Sequence, residues 1–289
     1  MTKTVILSSF HSQSIDYLPE YSPEAIVSFD SHLDDHMSGG QKVSEVFKKI
    51  PILDRDALER ASVQWKLRLY FPKTPRYLVI PGSCYLNDLY VTARNLGVGE
   101  PEANMKFVEK RKKDLLKNLF GTQVFHSPPR NIKSLLKSVC KYTTAFDIDV
   151  DYMREFQDSC FTVAPKLEID DVDCTSLGSL DIVKQAIHRV KPKIIVISEI
   201  TPSKVEANIG HVKELFDWLK RRGYEIESGE LIETDEEAFK VIKKADYFTG
   251  VVLPHTRFNS LNKNPEGIEF LKMLDESFAS ALNNYYLNE

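Results

Sequence analysis

Several features that would assign a chain to a specialised class are missing from this 289-residue sequence. No uninterrupted apolar run reaches the roughly 18 residues that a membrane-spanning helix needs, so we expect no membrane partner. The N-terminus lacks the basic region, apolar stretch and small-residue cleavage site of a signal peptide. Basic residues are not in excess, since the formal net charge is -4, and nothing in the composition indicates a nucleic-acid partner.

Cysteine is also scarce, and its spacing is uninformative. The four cysteines form no Cys-x-x-Cys pair, so we interpret them as reduced, mostly buried side chains of a cytoplasmic protein. Internal repeats, low-complexity segments and an obvious linker are missing as well. We therefore expect residues 1–289 to form a single domain.

What the sequence does contain is an alternation of helical patterns with short apolar strands. The composition is that of an ordinary globular protein, with 42% hydrophobic and 28% charged residues. The continuous branched aliphatic run at residues 193–198 is typical of a central parallel strand. This alternation predicts an α/β fold, a three-layer αβα sandwich with a mainly parallel sheet.

One predicted strand ends in a cluster of metal-ligating residue types. The apolar run 25–29 leads directly into Asp30, His32 and Asp34. In an extended strand these side chains would share one face but spread over about 13 Å, at roughly 3.3 Å per residue. One compact site therefore requires the chain to curl just after Asp30.

The same design recurs where residues 144–146 lead into Asp147 and Asp149. Buried acids on one face repel each other and tend to protonate unless a cation neutralises them. Two such strand ends predict a shared cation cluster. Carboxylates with a minority of imidazole suit Mn²⁺, with Zn²⁺ or Fe²⁺ as alternatives. Centres of this kind hold two metals bridged by carboxylates, with a hydroxide between the ions.

Three motifs, in order, resemble those of the arginase/agmatinase (ureohydrolase) family. Phe29 to Asp34 resembles the family's Asp-Ala-His-x-Asp motif, and Phe146 to Asp149 resembles its Ser-x-Asp-x-Asp motif. Ile197 to Pro202 resembles its late strand ending in Glu-x-x-Pro. The resemblance covers about residues 1–205 and implies an arginase-like sheet with the site at the carboxyl ends of the strands.

The resemblance also implies roles for individual residues. Its metal ligands would be His11, Asp30, His32, Asp34, Asp147 and Asp149. Asp30 and Asp147 would bridge two divalent ions, most suitably Mn²⁺, that share a nucleophilic hydroxide. Asp34 would pass a proton to the leaving amine, and Glu199 would hold a cationic substrate. This arrangement implies hydrolysis of a C–N bond in a guanidine such as agmatine or arginine, with release of urea.

The sequence departs from the family pattern in three places. The Gly-Gly-Asp that precedes the family's first metal-binding histidine is missing before His11. The long segment that usually precedes this element is also missing, so we expect a sheet that is smaller or rebuilt from later segments. At the position of the family's proton-transfer histidine, this sequence has Val46-Phe47-Lys48. That role is therefore vacant or is filled by another histidine, such as His36, His126 or His255.

These departures leave alternatives open. The chemistry could act on another linear amide, as a metal-dependent amidohydrolase or deacetylase does. The chain could also be a metal-binding but catalytically silent relative, or an ordinary α/β protein whose acids form salt bridges without metal. Oligomers are common in the family, but the segments that pair them are not recognisable here, so a homo-oligomer is one further alternative.

Overall fold

The protein is described from a computed structural model. The structure describes residues 3–8, 11, 15–33, 63–95, 106, 109–110, 113–114, 116–117, 121–126, 129–153, 179–200 and 202–228. Asp34, His36 and His255 lie outside these residues. So do residues 41–50, 234–244 and 265–286, for which the sequence predicts helices, and residues 247–253, for which it predicts a strand.

Within the described residues, the core of the fold is a seven-stranded sheet. Its strands are β1 Lys3–Leu7, β2 Ala25–Phe29, β3 Arg76–Ile80, β4 Thr122–His126, β5 Thr144–Asp149, β6 Ile194–Ser198 and β7 Tyr224–Ser228. They are arranged in the order β4-β3-β2-β5-β6-β1-β7, and every neighbouring pair is parallel. The carboxyl ends of all these strands therefore lie along one edge. The predicted α/β fold with a mainly parallel sheet is confirmed.

Helices connect the strands. The α-helices are α1 Val63–Tyr70, α2 Gly82–Asn95, α3 Pro129–Val139, α4 Leu180–Val190 and α5 Pro202–Arg221, with short 3-10 helices at Ile15–Tyr21 and Val150–Met153. Ser179 caps the N-terminus of α4 by accepting the Ile182 N–H at 3.3 Å, as serine commonly does at this position.

Helix α2 was not expected. The sequence of its first two turns is typical of a loop because Gly82, Ser83 and Asn87 are poor helix formers. The burial of Tyr85 and Leu89, four residues apart on one helical face, explains why the helix forms nonetheless. Tertiary packing overrides propensity at this position.

Apolar clusters cover both faces of the sheet, which gives the three layers. On one face, residues such as Phe29 and Phe146 pack against α3, α4 and α5. The rings of these two phenylalanines lie 5.4 Å apart. On the other face a smaller cluster, including Ile26 and Val196, packs against α1 and the first 3-10 helix. The central strands β2, β5 and β6 are buried throughout, which explains their lack of alternating polarity.

The sheet has a topological switch point between β2 and β5. From β2 the chain proceeds to β3 on one side, whereas from β5 it proceeds to β6 on the other side. The connections that leave these adjacent strands therefore diverge and open a crevice at their carboxyl ends. In open α/β sheets, ligands bind in such a crevice.

We predict that Phe146→Ala lowers the free energy of unfolding by about 3–5 kcal/mol, because the fully buried ring leaves a cavity beneath the switch point. Urea denaturation would measure this change. Lys137→Ala, at an exposed position of α3, is the control and should change the stability by less than about 0.5 kcal/mol. A loss below about 1 kcal/mol for Phe146→Ala would contradict this packing.

Candidate metal centre

Strands β1, β2, β5 and β6 each deliver polar side chains to the edge at the switch point. His11 follows β1, Asp30 follows β2, Asp149 ends β5 and Glu199 follows β6. Backbone hydrogen bonds join the ends of β1 and β6: the Ser8 N–H donates to the Ile197 carbonyl at 2.9 Å, and the Ile200 N–H donates to the Ser8 carbonyl at 3.1 Å. These bonds extend the sheet to the residues that carry the site.

The predicted curl after Asp30 is present. Strand β2 ends at Phe29, and the His32 N–H turns back to donate to the Asp30 carboxylate at 2.8 Å. This turn brings His32 Nδ1 to 3.6 Å from Asp30 Oδ1. The Leu33 N–H then donates to the Asp88 carboxylate at 2.9 Å. Asp30 and His32 therefore act at one place, as the spacing argument required.

A similar turn follows β5 and introduces an acid that we did not predict. The Asp151 N–H donates to Asp149 Oδ1 at 3.0 Å, and the Ser31 hydroxyl donates to the Asp151 carbonyl at 3.0 Å. Asp151 Oδ2 lies 3.4 Å from His32 Nδ1. The signal was available in the sequence, because Asp151 continues the alternation of Asp147 and Asp149.

His11 lies at the centre of the acids. Its Nε2 is 2.7 Å from Asp147 Oδ2, and its Nδ1 is 3.1 Å from Asp30 Oδ2 and 3.6 Å from Asp149 Oδ2. The Ser28 hydroxyl also donates to Asp147 Oδ2, at 3.0 Å. Asp147 therefore lies behind the imidazole and holds its orientation, as carboxylates commonly do for metal-binding histidines.

Three groups of described residues bring ligand atoms within 4.8 Å of one another. They are His11 with Asp30 and Asp149, Asp30 with His32 and Asp151, and Asp149 with Asp151 and Glu199. Each pair of groups shares one carboxylate, and Asp30 belongs to both groups that contain a histidine. Asp147, for which the resemblance implied a bridging role, contributes to none of these described groups but contacts His11 from behind.

The charges of the acids alter the pKa values of the site residues. Burial alone would lower the pKa of His11, but the charges of Asp147 and Asp30 raise it well above its ordinary value. Burial would raise the pKa of Asp30, whereas the charge of His11 holds it far below the usual range.

The hydrogen bond with Asp30 is the main cause that raises the pKa of His32 to about 11, and it outweighs burial; the charges of Asp151, Asp30 and Asp88 add to it. Half of the His32 side chain is exposed, so solvent screens part of this interaction. Both imidazoles are thus cations in the metal-free protein at neutral pH, and their protons partly neutralise the acids.

Carboxylate and imidazole donors together fit a hard or borderline divalent ion such as Mn²⁺, Zn²⁺ or Fe²⁺. Asp30, Asp149 and Asp151 are at most 3% exposed, so their charges need compensation. A metal ion must compete with the protons on His11 and His32, because a coordinated imidazole nitrogen cannot carry a proton.

Glu199 occupies the position that the sequence predicted, at the end of β6. Its backbone has a φ of 61°, in the left-handed region that glutamate rarely adopts. Such strain persists only where the surroundings impose it. The Glu199 carboxylate lies with Asp149 and Asp151 in the third group, which makes it part of the acidic cluster.

His126, one of the substitutes considered for proton transfer, lies away from the cluster. It ends β4, which is separated from β2 by β3. Its ring centroid is 4.1 Å from that of Tyr85. Burial, with a contribution from the charge of Lys113, lowers the pKa of His126 to about 3. We therefore interpret His126 as a neutral histidine that packs in the core at the edge strand β4, away from the acidic cluster.

No protein-family model matches the sequence, and neither the curated proteins nor the solved structures provide a match. The resemblance to the ureohydrolases therefore stays a prediction based on the three motifs. None of the helices in the described ranges is long and apolar enough to span a bilayer.

We predict that the metal-free protein loses stability as the pH rises above neutrality. His11 and His32 hold their protons more tightly in the folded chain than in the unfolded chain, where the pKa is about 6.5. The stabilisation by His32 is complete below about pH 6.5 and is lost as the pH rises toward about 11, and that by His11 is lost as the pH rises through its raised pKa. The slope is at most about 1.4 kcal/mol per pH unit for each histidine, and less for the half-exposed His32.

Denaturant unfolding of metal-free protein between pH 6 and 10 would measure this slope. His32→Gln should reduce it, whereas His188→Gln, at an exposed position of α4, should leave it unchanged. Saturating Mn²⁺ should abolish the slope above about pH 7.5, because both imidazoles are then neutral in the metal-bound folded chain and in the unfolded chain. A flat profile in the metal-free protein would contradict the proposed proton placement.

Proposed function

We propose that this protein binds two divalent metal ions, most suitably Mn²⁺, at the switch point and hydrolyses a C–N bond of a guanidine such as agmatine or arginine. The observation that carries the proposal is the sharing of Asp30 between the two histidine-containing groups. Carboxylates shared between ligand groups are typical of centres with two metals. An isolated structural ion pair does not require that one carboxylate belong to two groups of ligand residues.

The ligand assignment follows from the groups. One ion would use His11, Asp30 and Asp149, and the other would use Asp30, His32 and Asp151. Asp147 would support His11 through its 2.7 Å contact with Nε2 and hold the imidazole with Nδ1 toward the other acids. The resemblance implied Asp147 and Asp149 as the two ligands from this part of the chain. The present assignment uses Asp149 and Asp151 instead, so the second ligand comes from the 3-10 helix that follows β5. Asp34 retains the ligand and proton-transfer roles that the resemblance implies.

The bound ions would supply hydroxide near neutral pH, because they lower the pKa of water. The residues of the chain would position the substrate and manage its charge. Glu199 stands beside Asp149 and Asp151, where a cationic guanidinium would be attracted to the carboxylates. The choice of a guanidine over another linear amide rests on Glu199 and on the motif resemblance, since the donor set alone suits both.

A proton-compensated ion-pair network is the second candidate, and the direct contacts of His11 with Asp30 and Asp147 favour it. In that case the acids stabilise the fold without metal. Metal analysis separates the two candidates, because only the first requires stoichiometric binding.

We predict two Mn²⁺ per native chain after reconstitution and removal of free metal, measured by elemental analysis. Asp149→Asn should weaken binding by more than about 100-fold, because its carboxylate enters two groups. Asp147→Asn should weaken binding only about 10- to 100-fold, because it supports His11 from behind. An equal loss of metal affinity in the two variants would indicate that Asp147 is a direct ligand. A native chain without metal would contradict the proposal.

We predict that the Mn²⁺-loaded protein releases urea from a guanidine substrate. Glu199→Gln should raise KM about 10- to 100-fold, since a charge-assisted contact with the cation is lost. Glu225→Gln, at an exposed position of β7, is the matched control. Urea production assays and amine-release assays on acetylated amines would be run in parallel. Turnover of only the acetylated amines would assign the amidohydrolase alternative instead.

A further inference from the structure

The turn that carries His32 is fixed by a residue from a different part of the chain. Asp88 lies in the first half of α2, 55 residues after Leu33. Its carboxylate accepts the Leu33 N–H at 2.9 Å. Asp88 is 4% exposed and Leu33 is fully buried, so this hydrogen bond is shielded from water.

A buried carboxylate at this position has an energetic cost, since burying an ionised acid is unfavourable unless it is paired or hydrogen-bonded. A neutral side chain would pack more easily inside the helical layer. The burial of the Asp88 carboxylate therefore indicates a role other than filling space in the core. One interaction of this carboxylate is the hydrogen bond that it accepts from the backbone N–H directly after His32.

The same turn is also held from β5. The Ser31 hydroxyl donates to the Asp151 carbonyl at 3.0 Å. The segment from Asp30 to Leu33 is thus attached to α2 by Leu33 and to the 3-10 helix by Ser31. His32 lies between these two attachments, and half of its side chain is exposed. The exposed part of the imidazole is not held by packing, so its position beside Asp30 and Asp151 depends on the backbone attachments as well as on these two carboxylates.

We propose that Asp88 is a positioning residue of the metal centre, which holds the His32 turn so that the imidazole can join Asp30 and Asp151 as a ligand set. This inference rests on the proposed function. Asp88 acts through the Leu33 N–H and is assigned no contact with metal or substrate. Helix α2 therefore takes part in the centre, although the three ligand groups of the described residues include none of its residues.

The test compares Mn²⁺ binding to native protein, Asp88→Ala and Asp88→Asn. Asp88→Ala removes the acceptor, and we expect the affinity of one ion to fall about 10- to 100-fold, as is usual when an outer hydrogen-bond partner of a metal site is lost. The ion assigned to His11, Asp30 and Asp149 should still bind. Asp88→Asn keeps an amide oxygen that can accept the Leu33 N–H, so it should bind both ions within about threefold of the native affinity.

Electron paramagnetic resonance shows whether one ion or two are bound, because a coupled pair of Mn²⁺ ions and a single Mn²⁺ ion have different spectra. We expect the pair spectrum for native protein and Asp88→Asn, and the single-ion spectrum for Asp88→Ala at low metal excess. Thr122→Val is the matched control, because it removes a buried hydrogen bond to Gln64. Thr122 lies at the N-terminal end of β4, whereas the candidate metal centre lies at the carboxyl ends of the strands. The Thr122→Val variant should keep both ions.

Native metal affinity in Asp88→Ala would overturn the inference. Asp88→Asn binding metal as weakly as Asp88→Ala would also overturn it, because the negative charge of Asp88 or its direct ligation of the metal would then explain the loss of affinity. Loss of one ion in Thr122→Val would also overturn it, because general destabilisation would explain the effect. If Asp88→Ala does not fold, Asp88→Ser replaces it with the same expected result. Failure of the native chain to bind metal contradicts the proposed function, whereas two ions in both native protein and Asp88→Ala contradict only the role of Asp88.

Discussion

Buried negative charge at the switch point is the constraint on which the other features of this protein depend. Asp30, Asp147, Asp149 and Asp151 are nearly inaccessible to solvent and lie at the ends of two adjacent strands. Such charges are tolerated only with cations and hydrogen-bond donors close by. The protonated imidazoles of His11 and His32 meet part of that need, and the backbone N–H groups of His32 and Asp151 meet another part.

The parallel sheet makes this concentration of charge unavoidable. Ser28 lies opposite Asp147 and Phe29 opposite Ile148, so the acids that follow on the two strands come together as each strand ends. The chain leaves β2 toward one side of the sheet and β5 toward the other side, so a crevice opens between the two strand ends. Apolar packing of Phe29, Phe146 and Tyr152 directly beneath gives the site a rigid base.

Proton and metal are alternative ways to compensate the same acids. In the metal-free protein the raised pKa values of His11 and His32 keep positive charge inside the cluster. A divalent ion carries more charge and coordinates the same nitrogens, so the two forms exclude each other at each histidine. The site is therefore an ion-pair network whose carboxylates and imidazoles could also hold a metal ion, and the pH would decide how strongly protons and metal compete.

The sequence by itself determined the fold class and part of the candidate site. Short apolar runs ending in acids were sufficient to place Asp30, His32, Asp149 and Glu199 at strand ends, because parallel strands bring their carboxyl ends to one edge. The spacing of Asp30, His32 and Asp34 required a turn after Asp30 if the three share one site, and the structure shows such a turn between Asp30 and His32. Only the tertiary structure decided that Asp147 faces His11 from behind while Asp151 enters the cluster. Local sequence cannot distinguish acids two residues apart, since the register between strands and the turn after β5 select which carboxylates meet.

The same reason explains α2 and Asp88. Weak helix formers concealed the helix, and the bond from Leu33 joins residues that are distant in the chain. Contacts of this kind depend on the packing of helices on the sheet, which periodicity does not encode. The sequence thus specified which residue types gather at the switch point, whereas the tertiary structure assigned each carboxylate to a ligand group or to a supporting position. That division arises because strand pattern is a local property and the pairing of side chains across strands is not.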